Sequence, residues 1–203
     1  MIDSEYEKFV SEMSGMFKPQ KETTRVIIGE SPYPDGKNLT KFPGYPYNEV
    51  AFLRSAVAVG PTNRTVKIIW NLLFNNNGDK VRGFLKEIKD PGATSTREEY
   101  LAKYLADEQG MYLVNAFADI KCHNISKDLK ILSRSSRNVT YLVVGKNAAS
   151  AIRFFSQNKI LYIIHPSARG KSYSLVNEQW RDFNHKGNGI YDASTNVIKE
   201  FRL

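Results

Sequence analysis

Four short apolar runs, separated by segments of helical periodicity, constrain the fold of this chain more than any other feature. The runs lie at residues 25–29, 111–117, 139–144 and 160–164. Each is rich in aliphatic or aromatic side chains and bounded by polar residues or glycine, as is typical of strands buried inside a sheet. Strands that alternate with helices form parallel sheets that are covered on both faces. The pattern therefore predicts an α/β protein, a three-layer α/β/α sandwich around a central four-stranded, mainly parallel sheet.

The other segments carry apolar residues at three-to-four spacing, which predicts helices. The predicted helices span about residues 5–17, 48–58, 64–75, 97–109, 126–135, 146–156 and 174–183. The run from Asn75 to Gly78 is interpreted as the end of the third of these helices. Residues 30–48 contain four prolines, and we expect them to form a long loop. Long structured loops are usually functional.

The length and hydrophobicity of the chain fit one domain. Its 203 residues, 41% of them hydrophobic, suffice for a single sizeable core. We predict one domain over residues 1–203, with an N-terminal helix in residues 1–20 and a core in residues 25–183. The sequence has no run of about 18 apolar residues and no start typical of a signal peptide. These features favour a soluble, cytoplasmic protein that does not bind a membrane. We also expect a monomer.

Charge, cysteine and histidine content narrow the classes of partner and cofactor. A net charge of +8 favours a polyanionic partner. The single cysteine, Cys122, excludes an internal disulfide and a cluster held by several thiolates. The chain has three histidines, and none lies at the usual spacing of a metal site. We therefore predict neither a metal nor an organic cofactor. Phosphate-binding glycine loops and the nucleophile elbow of α/β-hydrolases are also missing from the sequence.

Distinctive residues follow each of the four predicted strands. Glu30 follows the first strand, Asn115 lies in the second, Gly145 follows the third and His165 follows the fourth. The carboxyl ends of parallel strands meet at one edge of the sheet, where open α/β proteins bind their ligands. We therefore expect Glu30, Asn115 and His165 to share a pocket.

Five short motifs occur in order along the chain. They are Gly-Glu-Ser-Pro-Tyr-Pro-Asp-Gly at 29–36, Gly-Tyr-Pro-Tyr at 44–47, Leu-Val-Asn at 113–115, His-Pro-Ser at 165–167 and Tyr-Ser-Leu-Val-Asn at 173–177. Their order and spacing resemble the uracil-DNA glycosylase superfamily over residues 25–183. The first motif is similar to a hybrid of two family versions and to the poxvirus version, and the His-Pro-Ser motif is present unaltered. The resemblance implies DNA as partner and base flipping as the mode of access.

The resemblance also implies a role for each matching residue. Asn115 would read the polar edge of the flipped base, since its amide offers both a donor and an acceptor, and His165 would donate a hydrogen bond to O2 of the leaving base. Tyr47 would stack on the base and Tyr33 would wall the pocket. The expected DNA contacts are Ser31, Ser167, Arg169 and Lys171.

The chain departs from the family pattern at Ser31, where the best-known members have the aspartate that positions water. Three alternatives remain open: Glu30 takes this role, Asp35 takes it from the loop, or stabilisation of the leaving group suffices at a lower rate. Glu30 matches the glutamate of another branch of the family and is our first choice. The cluster-binding cysteines of that branch are missing here, so the resemblance does not imply an iron-sulfur centre.

The sequence therefore predicts a monofunctional DNA glycosylase. It would excise uracil by hydrolysis of the N-glycosidic bond and initiate base excision repair, in association with the nucleoid. One alternative is the same fold acting on another base, such as hypoxanthine or a modified pyrimidine. A second alternative is a catalytically silent module that binds DNA or a replication partner.

Overall fold

The computed structural model of the protein describes a little over half of the chain. The described residues are 4–17, 24–30, 38–40, 42, 45–54, 69–70, 73–74, 77–88, 97–119, 121, 124–134, 139–151, 159–163, 165, 190–192 and 197–199. The helices are α1 (Ser4–Met16), α2 (Gly78–Glu87), α3 (Arg97–Gln109), α4 (Lys127–Ser133) and α5 (Lys146–Ser150). The strands are β1 (Thr24–Gly29), β2 (Asn38–Thr40), β3 (Glu49–Arg54), β4 (Met111–Asn115), β5 (Val139–Val144), β6 (Lys159–Ile163), β7 (Ile190–Asp192) and β8 (Val197–Lys199).

A parallel sheet with the order β4-β1-β5-β6 forms the centre of the described structure. Consecutive residues of its inner strands are buried, namely Val26, Ile27 and Ile28 in β1 and residues 141–144 in β5. Side chains of consecutive strand residues point to opposite faces, so both faces of the sheet are covered. Among the described helices, α3 and α4 lie near β4 and α5 lies near β5. The predicted α/β fold with a four-stranded parallel sheet is confirmed.

The N-terminal helix adds to the core through one apolar stripe. Phe9 and Met13 of α1 are four residues apart and fully buried. The Phe9 ring stacks on Phe84 of α2 with 5.9 Å between centroids, and it meets Tyr104 of α3 edge-on at 5.8 Å. These aromatic contacts hold α1 against α2 and α3.

In the described part of the chain, β4 lies at the edge of the parallel sheet, and a side chain pairs with its outer edge at Leu113. Tyr45 is buried, and its hydroxyl donates to the Leu113 carbonyl and accepts from the Leu113 amide, each at 3.2 Å. Both backbone groups of Leu113 are therefore satisfied at a position where an open edge would leave them unpaired.

The prediction of a helix at 48–58 is wrong, because residues 49–54 form strand β3, antiparallel to β2. The loop predicted for 30–48 is also wrong in part, since it contains β2. The β2–β3 ladder has a register shift between Asn38 and Leu39, and Phe52 has a backbone φ of 62°. An apolar run of this length fits helix and strand equally well, and the pairing with β2 decides for the strand.

The interpretation of Asn75 to Gly78 as a helix end missed helix α2, which begins at Gly78. Asn77 precedes α2, and its carbonyl accepts from the Val81 amide at 3.0 Å. The hairpin of β7 and β8 was also not predicted from the sequence.

The helix predicted at 97–109 is confirmed to the residue, and those predicted at 5–17 and 126–135 are confirmed with small shifts of their ends. The helix predicted at 146–156 is confirmed from Lys146 to Ser150. The helix predicted at 174–183 lies outside the described residues. Within the part of the chain that the structure describes, no helix has the length and apolarity needed to span a membrane.

We expect Tyr45→Phe to lower the free energy of unfolding by about 1–3 kcal/mol, because the buried N–H and C=O groups of Leu113 both lose their partner. Urea denaturation would measure this loss. The matched control Tyr47→Phe removes a hydroxyl from the neighbouring ring without touching the strand edge, and it should cost less. An equal loss in both variants would contradict the edge-pairing role of Tyr45.

Candidate active site at the carboxyl edge of the sheet

The ends of the four parallel strands bring the described site residues to one edge of the sheet. Asn115 is the register partner of Gly29, so Glu30 begins beside the end of β4. Gly145 directly follows β5, and His165 lies two residues after the end of β6. The strand order thus places Glu30 between Asn115 on one side and His165 on the other.

Asn115 combines a fixed backbone with a side-chain amide nitrogen that has no partner among the described residues. The residue is buried, with 4% of its surface exposed, and its Nδ2 has no hydrogen-bond partner there. Its carbonyl accepts from the Ser126 hydroxyl at 2.6 Å, and the same hydroxyl caps α4 by accepting from the Leu129 amide. A buried amide donor without a partner is costly, which is typical of a group that a ligand satisfies.

Glu30 is held at its backbone and at its side chain by two different elements. Its carbonyl accepts from the Phe117 amide at 2.9 Å, beyond the end of β4. Its Oε1 accepts from Nδ2 of Asn147, in α5, at 2.8 Å. Glu30 is half-buried, so one carboxylate at this edge of the sheet has a defined direction and access to water.

The packing of His165 depends on a glycine in the neighbouring loop. Gly145 has a backbone φ of 92°, a conformation that residues with a Cβ rarely adopt. A Cβ at position 145 would lie 3.0 Å from His165 Cβ and 3.2 Å from its Cδ2. Glycine at this position therefore permits both the turn from β5 into α5 and the close approach of the imidazole.

Burial and a nearby carboxylate act on His165 in opposite directions. Burial lowers the pKa of the His165 imidazole, and the negative charge of Glu30 raises it by a smaller amount. Because desolvation dominates, the ring is neutral at neutral pH. A neutral imidazole with a carboxylate nearby can donate a hydrogen bond without carrying a full charge.

Phe52 lies at the candidate site, and the sequence did not reveal it. Its ring covers Gly29, where a Cβ would lie 3.0 Å from Phe52 Cζ. Side chains of register partners in a parallel sheet share a face, so Phe52 covers the face on which Asn115 also lies. The strained backbone of Phe52 is of the kind found at functional sites. The Val-Ala-Phe-Leu run at 50–53 was the available signal, and its interpretation as a helix concealed it.

Tyr47 lies in a buried aromatic cluster beside β4. Its ring meets Tyr112 edge-on at 5.2 Å and Tyr45 edge-on at 6.0 Å. Burial raises the pKa of the Tyr47 phenol, so the ring stays neutral. The buried carboxylate of Asp128, in α4, accepts hydrogen bonds from the backbone and the side-chain amide of Asn48, which fixes the chain next to Tyr47. Stacking of Tyr47 on a base stays a prediction.

Six of the predicted site residues lie outside the described residues, and their roles stay predictions. They are Ser31, Tyr33, Asp35, Ser167, Arg169 and Lys171. In the described ranges, no group of three or more His, Cys, Asp or Glu side chains is arranged to hold a metal ion. Asn147 was also missed from the sequence, because its contact with Glu30 joins residues 117 positions apart.

We expect the His165 imidazole to titrate below its ordinary pKa of about 6.5, since burial disfavours its charged form. Glu30→Gln should lower this pKa further, because it removes the negative charge that favours the imidazolium. An NMR titration of the three imidazoles would measure both values, with His165 assigned by the signal lost in His165→Gln. An unchanged pKa of His165 in Glu30→Gln would show that the two groups do not interact.

Comparisons with known proteins assign no role to the residues of this site. No protein-family model matches the chain, and no curated protein matches it. Among solved structures, a point variant of mimivirus UNG in complex with UGI is similar to this chain at 17% sequence identity, with a TM-score of 0.38. The similarity covers 79% of this chain and 56% of the mimivirus chain. The chain thus spans a little over half the length of that protein.

Proposed function

We propose that this protein is a DNA glycosylase that hydrolyses the N-glycosidic bond of uracil in DNA. One observation carries the proposal: the buried Nδ2 of Asn115, which has no partner among the described residues, shares a sheet edge with the Glu30 carboxylate and the neutral His165 imidazole. A donor for the base, a carboxylate for water and a donor for the leaving group are the three groups that such a hydrolysis needs.

The reaction assigns a separate task to each of these groups. Water attacks C1′ of the sugar while the bond from C1′ to N1 of the base breaks, and the bonding electrons leave with the base. Glu30 orients the water and accepts its proton. His165 donates a hydrogen bond to O2 of the base, where negative charge develops. The products are an abasic site and the free base.

Asn115 would select the base by its hydrogen-bonding edge. Its Nδ2 donates to O4 of uracil, and its Oδ1 accepts from N3–H. Cytosine presents an amine and an unprotonated nitrogen at the same places, which leaves both amide groups of Asn115 mismatched. A mismatch of this kind in a buried site discriminates strongly, because both partners remain unsatisfied.

Base flipping needs an aromatic surface on which the extruded base rests. Phe52 is one candidate, because its ring lies over Gly29 on the Asn115 face of the sheet. Tyr47 is the other, through the Gly-Tyr-Pro-Tyr motif, although its ring already packs against Tyr45 and Tyr112. Tyr33 would close the pocket beside the C5 position.

DNA as substrate fits the charge of the protein. A net charge of +8 favours the phosphate backbone through counterion release. We assign the phosphate contacts to Ser31, Ser167, Arg169 and Lys171. The protein would act at uracil in base excision repair, and neither a metal nor a cofactor enters the reaction.

The Asn115 amide also supports a second candidate substrate. Hypoxanthine presents O6 and N1–H, the same acceptor and donor as uracil, and 5-hydroxymethyluracil keeps the uracil edge. A glycosylase of the same mechanism that acts on one of these bases is the alternative. A protein that binds DNA without excising any base would not need the buried amide of Asn115.

We expect oligonucleotides that contain uracil to be cleaved after incubation with the protein and alkali, and Asn115→Asp to lower this rate roughly 100-fold or more. The control Asn124→Asp makes the same chemical change at an exposed position and should keep the wild-type rate. If only DNA that contains hypoxanthine or 5-hydroxymethyluracil is cleaved, the substrate is that base and not uracil. Salt-sensitive binding of DNA without any cleavage would show that the protein binds DNA but excises no base.

Glu30→Gln and Asp35→Asn identify the carboxylate that activates water. Each variant removes one negative charge and keeps the size of the side chain, so their general effects on DNA binding are matched. We expect Glu30→Gln to lower the single-turnover rate roughly 100- to 10,000-fold, and Asp35→Asn to change it little. A loss confined to Asp35→Asn would assign the base to Asp35. Unchanged rates in both would remove carboxylate activation of water from the mechanism.

A further inference from the structure

We propose that Asn147 is the positioning residue for Glu30, an inference that rests on the proposed function. Nδ2 of Asn147 donates to Oε1 of Glu30 at 2.8 Å. With Oε1 engaged in this way, Oε2 is the oxygen that faces the attacking water. Asn147 therefore does not touch the substrate but sets the direction of the group that does.

The position of Asn147 is itself fixed by the structure. It is the second residue of α5, and the helix begins directly after the strained turn at Gly145. The Ala149 amide donates to the Gly145 carbonyl at 3.1 Å, and the Ser150 hydroxyl donates to the Asn147 carbonyl at 2.7 Å. The turn that makes room for His165 thus also delivers the Asn147 amide to Glu30.

The Glu30 carboxylate needs such a partner because its own backbone fixes only one end of a long side chain. Its carbonyl is held by Phe117, while the side chain keeps three rotatable bonds whose freedom opposes a single orientation. Asn147 is exposed, and a hydrogen bond beside water adds little to the stability of the fold. The contact therefore matters for orientation, where a misplacement of about 1 Å costs up to 100-fold in rate.

An amide suits this task better than a charged partner would. Lysine or arginine at position 147 would bind the carboxylate in an ion pair and supply a counter-charge that opposes proton uptake. Asparagine orients the same oxygen and supplies no charge. The negative charge of Glu30 then remains available to the water proton and to the imidazole of His165.

We expect Asn147→Ala to lower the single-turnover rate on uracil-containing DNA roughly 10- to 100-fold, with KM and the DNA dissociation constant changed less than twofold. Asn147→Asp keeps the size of the side chain but removes the donor, and it should be at least as slow. Asn124→Ala makes the same chemical change at an exposed position away from Glu30 and should keep the wild-type rate. A higher KM at unchanged kcat would make Asn147 a substrate contact and overturn the inference.

A double-mutant cycle tests whether Asn147 acts through Glu30. In the Glu30→Gln background, Asn147→Ala should change the rate less than twofold, because the group that Asn147 positions has lost its function. If the double variant loses rate by the product of the two single losses, the two residues act independently and the inference is overturned.

A measurement without activity separates this inference from the proposed function. The side-chain amide signal of Asn147 in a two-dimensional NMR spectrum should shift between the wild type and Glu30→Gln, because the substitution replaces the carboxylate oxygen that accepts its hydrogen bond. An Asn147 amide signal that is the same in the wild type and in Glu30→Gln would overturn the inference. A protein that keeps the shift but cleaves none of the three modified DNAs would lose the proposed hydrolysis and keep the positioning contact.

Discussion

The parallel pairing of β1 with β4 and β5 is the interaction on which the rest of the structure depends. β1 runs through the middle of the sheet, and its residues Val26 to Ile28 are buried on both faces. The register of this pairing sets Asn115 beside Gly29. A shift by one residue would turn the Asn115 side chain to the other face of the sheet. Hydrophobic burial, which favours one register over its neighbours, therefore also selects the geometry of the polar edge.

The stability of the core and the chemistry of its edge make opposite demands on Asn115. A buried amide nitrogen without a partner among the described residues costs about 1–3 kcal/mol. The bond of its carbonyl to Ser126, which also caps α4, fixes the backbone that carries this amide. In the proposed reaction, an amide held in place in this way would need little rearrangement when it binds the base, and preorganisation of this kind is what makes polar groups effective in catalysis.

The sequence predicts well the elements that depend on contacts between neighbouring residues. It predicts less well the features that depend on contacts between residues far apart in the chain. Helix α3 was predicted to the residue, and β1, β4, β5 and β6 nearly so, because each carries its own periodicity. The sequence predicts a helix in place of β3, since Val50 to Leu53 are apolar in succession and only the pairing with β2 distinguishes a strand. The hydroxyl of Tyr45 on β4 and the amide of Asn147 on Glu30 join residues far apart in the chain. No local sequence pattern predicts such contacts.

The two faces at the end of β1 divide the proposed reaction between them. Gly29 faces Phe52 and shares its face with Asn115, whereas the next side chain, Glu30, reaches the amide of Asn147 in α5. Hydrolysis with water arriving opposite the departing base needs such a division, with the base on one side of the sugar and the carboxylate on the other. The sequence has serine at position 31, where the resemblance led us to expect an aspartate. Glu30 takes over that role only if its longer side chain is held from a second element, and α5 supplies the hydrogen bond that does so.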